Sequence, residues 1–263
     1  MVKKFFKKYK GFLIGIAVVI VYYWAFRGAE ANPINFAKGI PFMIDFIGRM
    51  FPPDISNLNK FLLKAVETLQ MAIVGSSLGA LAALPLSFLA ARNIMPYKFV
   101  YHSVRGIFDI FRGINEIVWG LIFVAMVGLG PFPGVLALAA HVTGALGRYF
   151  SEAIETVDPE AIKAIISTGA SKLQVIAHGI FPQVKPLFVN YFLYYLENNF
   201  RAAPVLGLVG AGGIGMELIT SMRLFRNQEV LTILIIMIAM VVAIDRVSAY
   251  IRKKIVNVEH LDI

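Results

Sequence analysis

The sequence predicts an all-α polytopic membrane protein with about six transmembrane helices. Three observations predict it. The chain has 263 residues, 58% hydrophobic and only 16% charged, with a mean hydropathy of +0.73; a soluble domain of this length needs more charge on its surface. Apolar runs recur from end to end on the scale of a bilayer's hydrocarbon core. The 25 Lys and Arg gather in alternate segments between those runs, as orientation signals do in membrane chains.

The first run covers residues 11–26. Lys3, Lys4, Lys7, Lys8 and Lys10 precede it and Tyr22, Tyr23 and Trp24 close it. Basic flank, apolar core and aromatic belt make a first span leaving the cytoplasm. A secretory signal peptide competes, because Ala29-Glu30-Ala31 fits a small-x-small cleavage site. Residues 27–60 read as an outside segment with an amphipathic piece over roughly 36–51. The second span, 62–91, contains the GxxxG pattern of Gly75 and Gly79 and is expected to bend at Pro85. A third helix starts near Tyr101 and is fully apolar over 117–129. Residues 130–134 form a turn, and the fourth span covers 135–150. Residues 151–183 are polar enough to leave the membrane. The fifth span is 185–208, followed by a glycine-rich outer loop, and the sixth is 230–249. The tail Arg252, Lys253, Lys254 closes the chain on the basic side.

Six spans place both termini inside. Segments then assigned to the inside hold 17 Lys and Arg, the outside segments hold 7, and Arg201 lies within the fifth span. The domain division expected is 1–60, 61–251 and 252–263. The net charge of +9 fits cytoplasmic-side basic clusters better than nucleic-acid binding. No cysteine is present, which removes disulfides, thiolate metal sites and cysteine nucleophiles. His102, His141, His178 and His260 show no paired ligand spacing.

Residues 151–183 carry the densest local grammar. Asp158 is an N-cap, Pro159 suits the first helical position, and Glu160 sits in the positive first turn. A short helix follows to about Thr168, stopped by Gly169. Ser171 and Gln174 form a capping box for a second short helix, and Pro182 is expected to end it. Ala164, Ile165 and Ile166 would be exposed unless a partner covers them. A loop folding back on its own bundle is the competing reading.

This stretch resembles the EAA loop of ABC importer permeases, through Gly169 and the Phe181-Pro182 pair that follows it. The match is partial. Lys163 stands where that family usually has glutamate, Ile165 replaces the second alanine, Gly179 stands for Ile and Phe181 for Leu. Glu160, one turn earlier, can serve the same acidic contact. Other segments are similar to the phosphonate-transport branch: Glu67-Thr68-Leu69-Gln70-Met71-Ala72, Leu84-Pro85-Leu86-Ser87-Phe88-Leu89-Ala90-Ala91-Arg92-Asn93, Asn115-Glu116-Ile117-Val118-Trp119, Thr168-Gly169-Ala170-Ser171, and Val205-Leu206-Gly207-Leu208-Val209-Gly210-Ala211-Gly212-Gly213-Ile214-Gly215.

The resemblance implies a type I ABC importer permease fold with a cytoplasmic coupling helix. It implies coupling to an ATPase through Glu160, Lys163, Ala164, Ile165, Gly169, Ala170 and Ser171. It further implies a homodimer around one pathway, two copies of the ATPase subunit, an extracytoplasmic phosphonate-binding protein, and residence in a bacterial inner membrane. This chain would bind no cofactor itself, with ATP and Mg used by the partner subunit. Another small oxyanion, phosphite or phosphate, is the alternative cargo.

Two polar stripes interrupt the apolar pattern. His102, Arg105, Asp109, Arg112 and Glu116 are spaced 3, 4, 3, 4, one face of a helix about 21 Å long. Asp109 would pair with Arg105 and Arg112, and Arg112 with Glu116. The face reads either as a charged wall of an anion pathway, with Asn115 beside it, or as a self-neutralised helix end. Asn190, Tyr194, Glu197 and Arg201 repeat the spacing on the fifth span, with Asn198 and Asn199 adjoining; pathway lining and interhelical hydrogen bonding are both open.

Gly210 to Gly215 spell GxGxxG, but no βαβ unit surrounds them and they fall on the outer side, so a nucleotide site is rejected. No GxxxxGK[ST] sequence occurs, so ATP chemistry belongs to another subunit. A stand-alone secondary transporter or channel would show internal repeats and would not need the 151–183 loop. A membrane enzyme would need a catalytic cluster.

Overall fold

The structure, a computed structural model, describes residues 2–29 and 33–259, with side chains at 11, 14–29, 34 and 36–250. Part of the Ala29-Glu30-Ala31 triplet, His260 and the side chains of the N-terminal lysines, Arg252, Lys253 and Lys254 lie outside that description. Among the described residues every regular element is a helix. Two compact units divide the chain, Met1–Phe51 and Pro52–Ile263.

The first unit holds α1 (Val2–Gly28) and α2 (Pro33–Met50). The stretch Ile14–Gly28 of α1 is apolar but short for a span, and its side chains from Val18 to Trp24 are exposed, as expected of a surface meeting lipid. In α2, Asp45 and Arg49 pair at 2.6 Å one turn apart.

The second unit is built around α3 (Leu58–Leu89) and α6 (Pro131–Glu155). These helices approach at the GxxxG pair. A Cβ on Gly75 would lie 2.7 Å from Cβ of Leu138, and one on Gly79 would lie 2.8 Å from the Ala139 carbonyl. Glycine is needed there because the facing backbone occupies the space a side chain would take. α6 also packs against α4 (Lys98–Gly113), α5 (Glu116–Val127) and α9 (Phe181–Gly207), and so forms the centre of the bundle. Residues such as Leu138, Val142, Leu146 and Ile154 are fully buried along it.

By length and apolar composition, α3 and the Asn227–Tyr250 part of α11 (Asn227–Glu259) can cross a membrane, and α4 with α5 can do so as one broken span. The bend between α4 and α5 is 91°. The sequence predicted one straight face through this region. The helix instead stops at Gly113 and restarts at Glu116, because the Asn115 side chain accepts a hydrogen bond from the Ile117 N–H at 2.9 Å and caps the new helix. The break leaves carbonyls without helical donors, which is costly at membrane depth. Trp119 Nε1–H donates to the Phe111 carbonyl at 3.1 Å, and His141 Nδ1 lies 3.4 Å from the Ile114 carbonyl.

The expected glycine-rich outer loop is a short turn followed by α10 (Gly213–Arg223). Its first N–H groups are taken by α3: Gly213 N–H donates to the Glu67 carboxylate at 3.0 Å, and Ile214 N–H to Thr68 Oγ1 at 2.8 Å. A carboxylate of the protein thus already holds the position a phosphate would take at that helix start, in keeping with the rejected nucleotide reading. Nearby, Asp54 is held below the usual carboxylate range by hydrogen bonds from Ser56.

Candidate functional site: a capped knuckle and two charged faces

The residues between α6 and α9 fold as a compact knuckle. Asp158 caps α7 (Pro159–Ser167), its carboxylate accepting from Glu160 N–H at 2.9 Å, and Pro159 opens the helix. At the other end Gly169 turns the chain with φ +80° and donates its N–H to the Ile166 carbonyl at 3.0 Å. That left-handed conformation costs any other residue about 1–2 kcal/mol. Ser171 and Gln174 form the expected capping box, which starts α8 (Lys172–Gln174).

One expectation fails after α8. Pro182 does not end the helix. A π turn over Val175–Ile180 carries α8 directly into α9, with Phe181 N–H donating to the Ile176 carbonyl and Pro182 in the first turn of α9. The wider π turn shifts the hydrogen-bond register where proline has no N–H to offer.

The knuckle has an inner and an outer face. Ile165, expected to be exposed, instead packs with Ile162 on the cluster of Phe150, Ile154, Val175, Ile180, Val184 and Phe188. Phe150 and Phe188 stack at 4.1 Å in that cluster. Glu160, Lys163, Ala164, Ile166, Ser167 and Gly169 are exposed, Ala170 is half-buried, and Ser171 is exposed. Glu160 and Lys163 pair at 2.9 Å, but both are solvated and the pair adds little stability. Ile166 of α7, 55% exposed, and Leu173 of α8, 78% exposed, are large apolar groups that the knuckle leaves open.

The stripe on α4 separates into three groups. Asp109 and Arg112 form an exposed pair at 2.9 Å. Glu116 lies beyond the bend, 4.0 Å from His141 of α6, and does not continue the α4 face to Arg112. Asn115 serves as the α5 cap. Arg105 pairs with Glu155 at 2.9 Å, not with Asp109.

On α9, Arg201 reaches Glu197 at 2.7 Å and Asp245 of α11 at 2.8 Å. Asn198 and Tyr194 are exposed. Asn199 faces the other way, is 1% exposed, and donates to Ser76 Oγ of α3 at 2.7 Å. The interhelical reading describes Asn199, bonded to α3, and Arg201, paired with Asp245 of α11, while Asn198 is exposed. A hollow of about 440 Å³ between α3, α6 and α9 is lined by Leu81, Leu84, Phe150, Phe188 and Phe192, with Lys185 its one charged lining residue; its apolar walls suit hydrocarbon better than an anion.

Sequence reasoning missed the cluster where α3 and α6 end and α4 begins. Glu155 accepts from the Arg92 N–H at 2.7 Å and pairs with Arg105. Arg105 Nε donates to the Ala90 carbonyl at 3.0 Å, Arg92 Nε donates to Tyr101 Oη at 2.8 Å, and Asn93 donates to the Ile154 carbonyl at 2.7 Å. The Tyr101 hydroxyl holds the Arg92 guanidinium above its usual pKa. The available signal was Glu155 itself, an acid at the negative end of a helix, where it needs donors from elsewhere. Among the described residues no group of three or more His, Asp or Glu is arranged to hold a metal ion.

Residues 83–257 match the family described as "Binding-protein-dependent transport system inner membrane component". The chain is 39% identical over 240 residues to the phosphite transport system permease protein PtxC of Stutzerimonas stutzeri, covering 91% of this chain and 86% of that one. It is 43% identical over 119 residues to the putative cryptic phosphonate transport system permease protein PhnE2 of Escherichia coli (strain K12), covering 45% of this chain and 98% of that one. Among solved structures, an inward-facing form of the MetNI methionine ABC transporter matches with a TM-score of 0.66 at 22% identity, over 76% of this chain and 98% of that one.

Proposed function

The chain belongs to the family of binding-protein-dependent transport system inner membrane components, and from that premise we propose that it carries phosphonates into a bacterial cell by alternating access. It is a transport subunit with the type I ABC importer permease fold, and no covalent chemistry is assigned to it. Phosphite is the second reading, for which the name of one relative matched over most of this chain speaks.

The observation that carries the proposal is the knuckle: a short, doubly capped helix with Ile166, Ala164, Glu160 and Lys163 facing out, anchored by Ile165 between α6 and α9. A rigid helix offered to a groove is a docking device. Two copies of an ATPase subunit each receive one knuckle, contacting Glu160, Lys163, Ala164, Gly169, Ala170 and Ser171. ATP and Mg are handled by that partner. An extracytoplasmic binding protein delivers the anion to the outer face, and two copies of this chain enclose the pathway. Both termini lie in the cytoplasm.

Asp109, Arg112, Asn115, Glu116, Asn198 and Arg201 line the route, with the broken α4–α5 span as its gate. Backbone that leaves the helix at membrane depth is tolerated where it is buried or lines a wet cavity, and the exposed Asn115 beside the 91° bend supports that placement. ATP binding draws the ATPases and knuckles together, and the helices move as packed bodies.

The test is uptake of labelled methylphosphonate into vesicles holding the full importer. ATP-dependent uptake that unlabelled phosphonate competes more strongly than phosphite supports the proposal. Stronger competition by phosphite moves the cargo to the second reading, and uptake without the ATPase removes the importer mechanism.

A further inference from the structure

We propose that Glu155, with Arg105, is a positioning residue that transmits knuckle movement into α3 and α4, so that its loss uncouples ATP hydrolysis from transport. The inference rests on the importer reading above. It starts from a local cost. Glu155 is the last residue of α6, where the helix dipole disfavours a carboxylate. It is held there from two other places: the Arg92 N–H just past α3 donates to it at 2.7 Å, and the Arg105 guanidinium of α4 forms an ion pair with it at 2.9 Å.

Each donor is tied in turn. Arg105 Nε reaches the Ala90 carbonyl at the end of α3 at 3.0 Å, and its guanidinium lies 4.6 Å from the centre of the Tyr101 ring. Asn93 donates to the Ile154 carbonyl at 2.7 Å. One carboxylate therefore joins the ends of α3 and α6 to the first turns of α4. Its side chain is 24% exposed and that of Arg105 only 12%, so solvent screens the pair weakly.

The cluster sits where the knuckle begins. Only Thr156, Val157 and Asp158 separate Glu155 from α7. That link is short and stiff: Thr156 folds its hydroxyl back to the Ala153 carbonyl at 2.8 Å, and Val157 is buried. A shift of α7 cannot be absorbed in three such residues and reaches Glu155. From there it passes to α4, whose far end is the 91° bend. Arginine suits this task because its rigid planar fork fixes the carbonyl and the carboxylate in one geometry, whereas lysine offers rotatable donors on a flexible stem.

The experiment uses the complete importer, this chain with its ATPase and binding protein, in proteoliposomes. ATP hydrolysis and uptake are measured in the same vesicles. In Glu155→Gln the amide oxygen still accepts from Arg92 N–H but the ion pair is gone. Substrate moved per ATP is expected to fall about tenfold, within the range of site-to-site couplings, while the ATPase stays bound. Arg105→Lys is expected to behave alike. The chain has no cysteine, so Arg105→Cys with Glu155→Cys can be bridged by a short bis-methanethiosulfonate, which joins each thiol in a reducible disulfide and releases methanesulfinate. Bridging should raise the ratio and reduction should lower it again. A wild-type ratio in Glu155→Gln, loss of the ATPase from both single variants, or no response to bridging overturns the proposal. If the wild-type chain retains no ATPase, the importer reading itself fails, a result separable from any of these.

Discussion

Ile165 of α7 rests its Cδ1 against Gly179 of the π turn, so closely that a Cβ built on residue 179 would lie 2.8 Å from it. This contact sets the angle at which the knuckle is presented. A methyl group meets only the movable tip of an isoleucine, so Gly179→Ala should be tolerated. Gly179→Leu cannot be accommodated without displacing α7. Expected: the alanine variant co-purifies with the ATPase as wild type does, and the leucine variant loses most of it while inserting normally. Equal recovery of both would show that the contact does not orient the knuckle.

Gly169→Pro should abolish ATPase association. Proline cannot adopt φ +80°, and it removes the N–H that closes α7 onto the Ile166 carbonyl. Gly169→Ala should lose only part of the association, in line with a strain of about 1–2 kcal/mol. Normal co-purification of the proline variant counts against the docking role.

Asn199 and Ser76 are both buried and bonded to each other across α9 and α3. Removing one partner leaves a buried polar group unpaired, at about 1–3 kcal/mol. Asn199→Leu and Ser76→Ala should each lower the melting temperature in detergent. The double variant should melt above the value obtained by adding the single losses. Strict additivity would mean the bond is not formed.

Arg112→Ala removes an exposed ion pair, so stability should change by less than about 1 kcal/mol. If Arg112 meets the anion in the pathway, uptake should still fall about tenfold or more, the effect of losing a charge-assisted contact of roughly 1.5–3 kcal/mol. The measurement is initial uptake rate at matched amounts of assembled complex. An unchanged rate would return the Asp109–Arg112 pair to a solvated helix end.

Much of the knuckle was legible in the residues. Asp158, Pro159, Gly169 and the Ser171–Gln174 box act within four positions of themselves, and local rules read such signals correctly. The break at Asn115 carried the same kind of signal, a capping residue followed by Glu116 and an apolar run, yet the 3, 4, 3, 4 spacing of the charges suggested continuity across it. Pro182 misled in the opposite direction, because a π turn is invisible to rules that know only the 3.6 period. Several segments that resembled the phosphonate branch prove to be junctions. Glu67 and Thr68 cap α10, Asn115 and Trp119 bridge the bend, and Arg92 and Asn93 close the end of α6.

Composition, apolar runs and caps were enough to establish a helical membrane chain and the two capped ends of its knuckle helix, since each depends on neighbours a few residues apart. Which face of α7 turns inward, which carboxylate Arg105 meets, and which of Asn198 and Asn199 is buried depended on helices brought together from distant parts of the chain. Residue 155 finds residues 92 and 105, and residue 199 finds residue 76, through close packing. A linear pattern carries periodicity, but it does not carry the rotation of one packed helix against another.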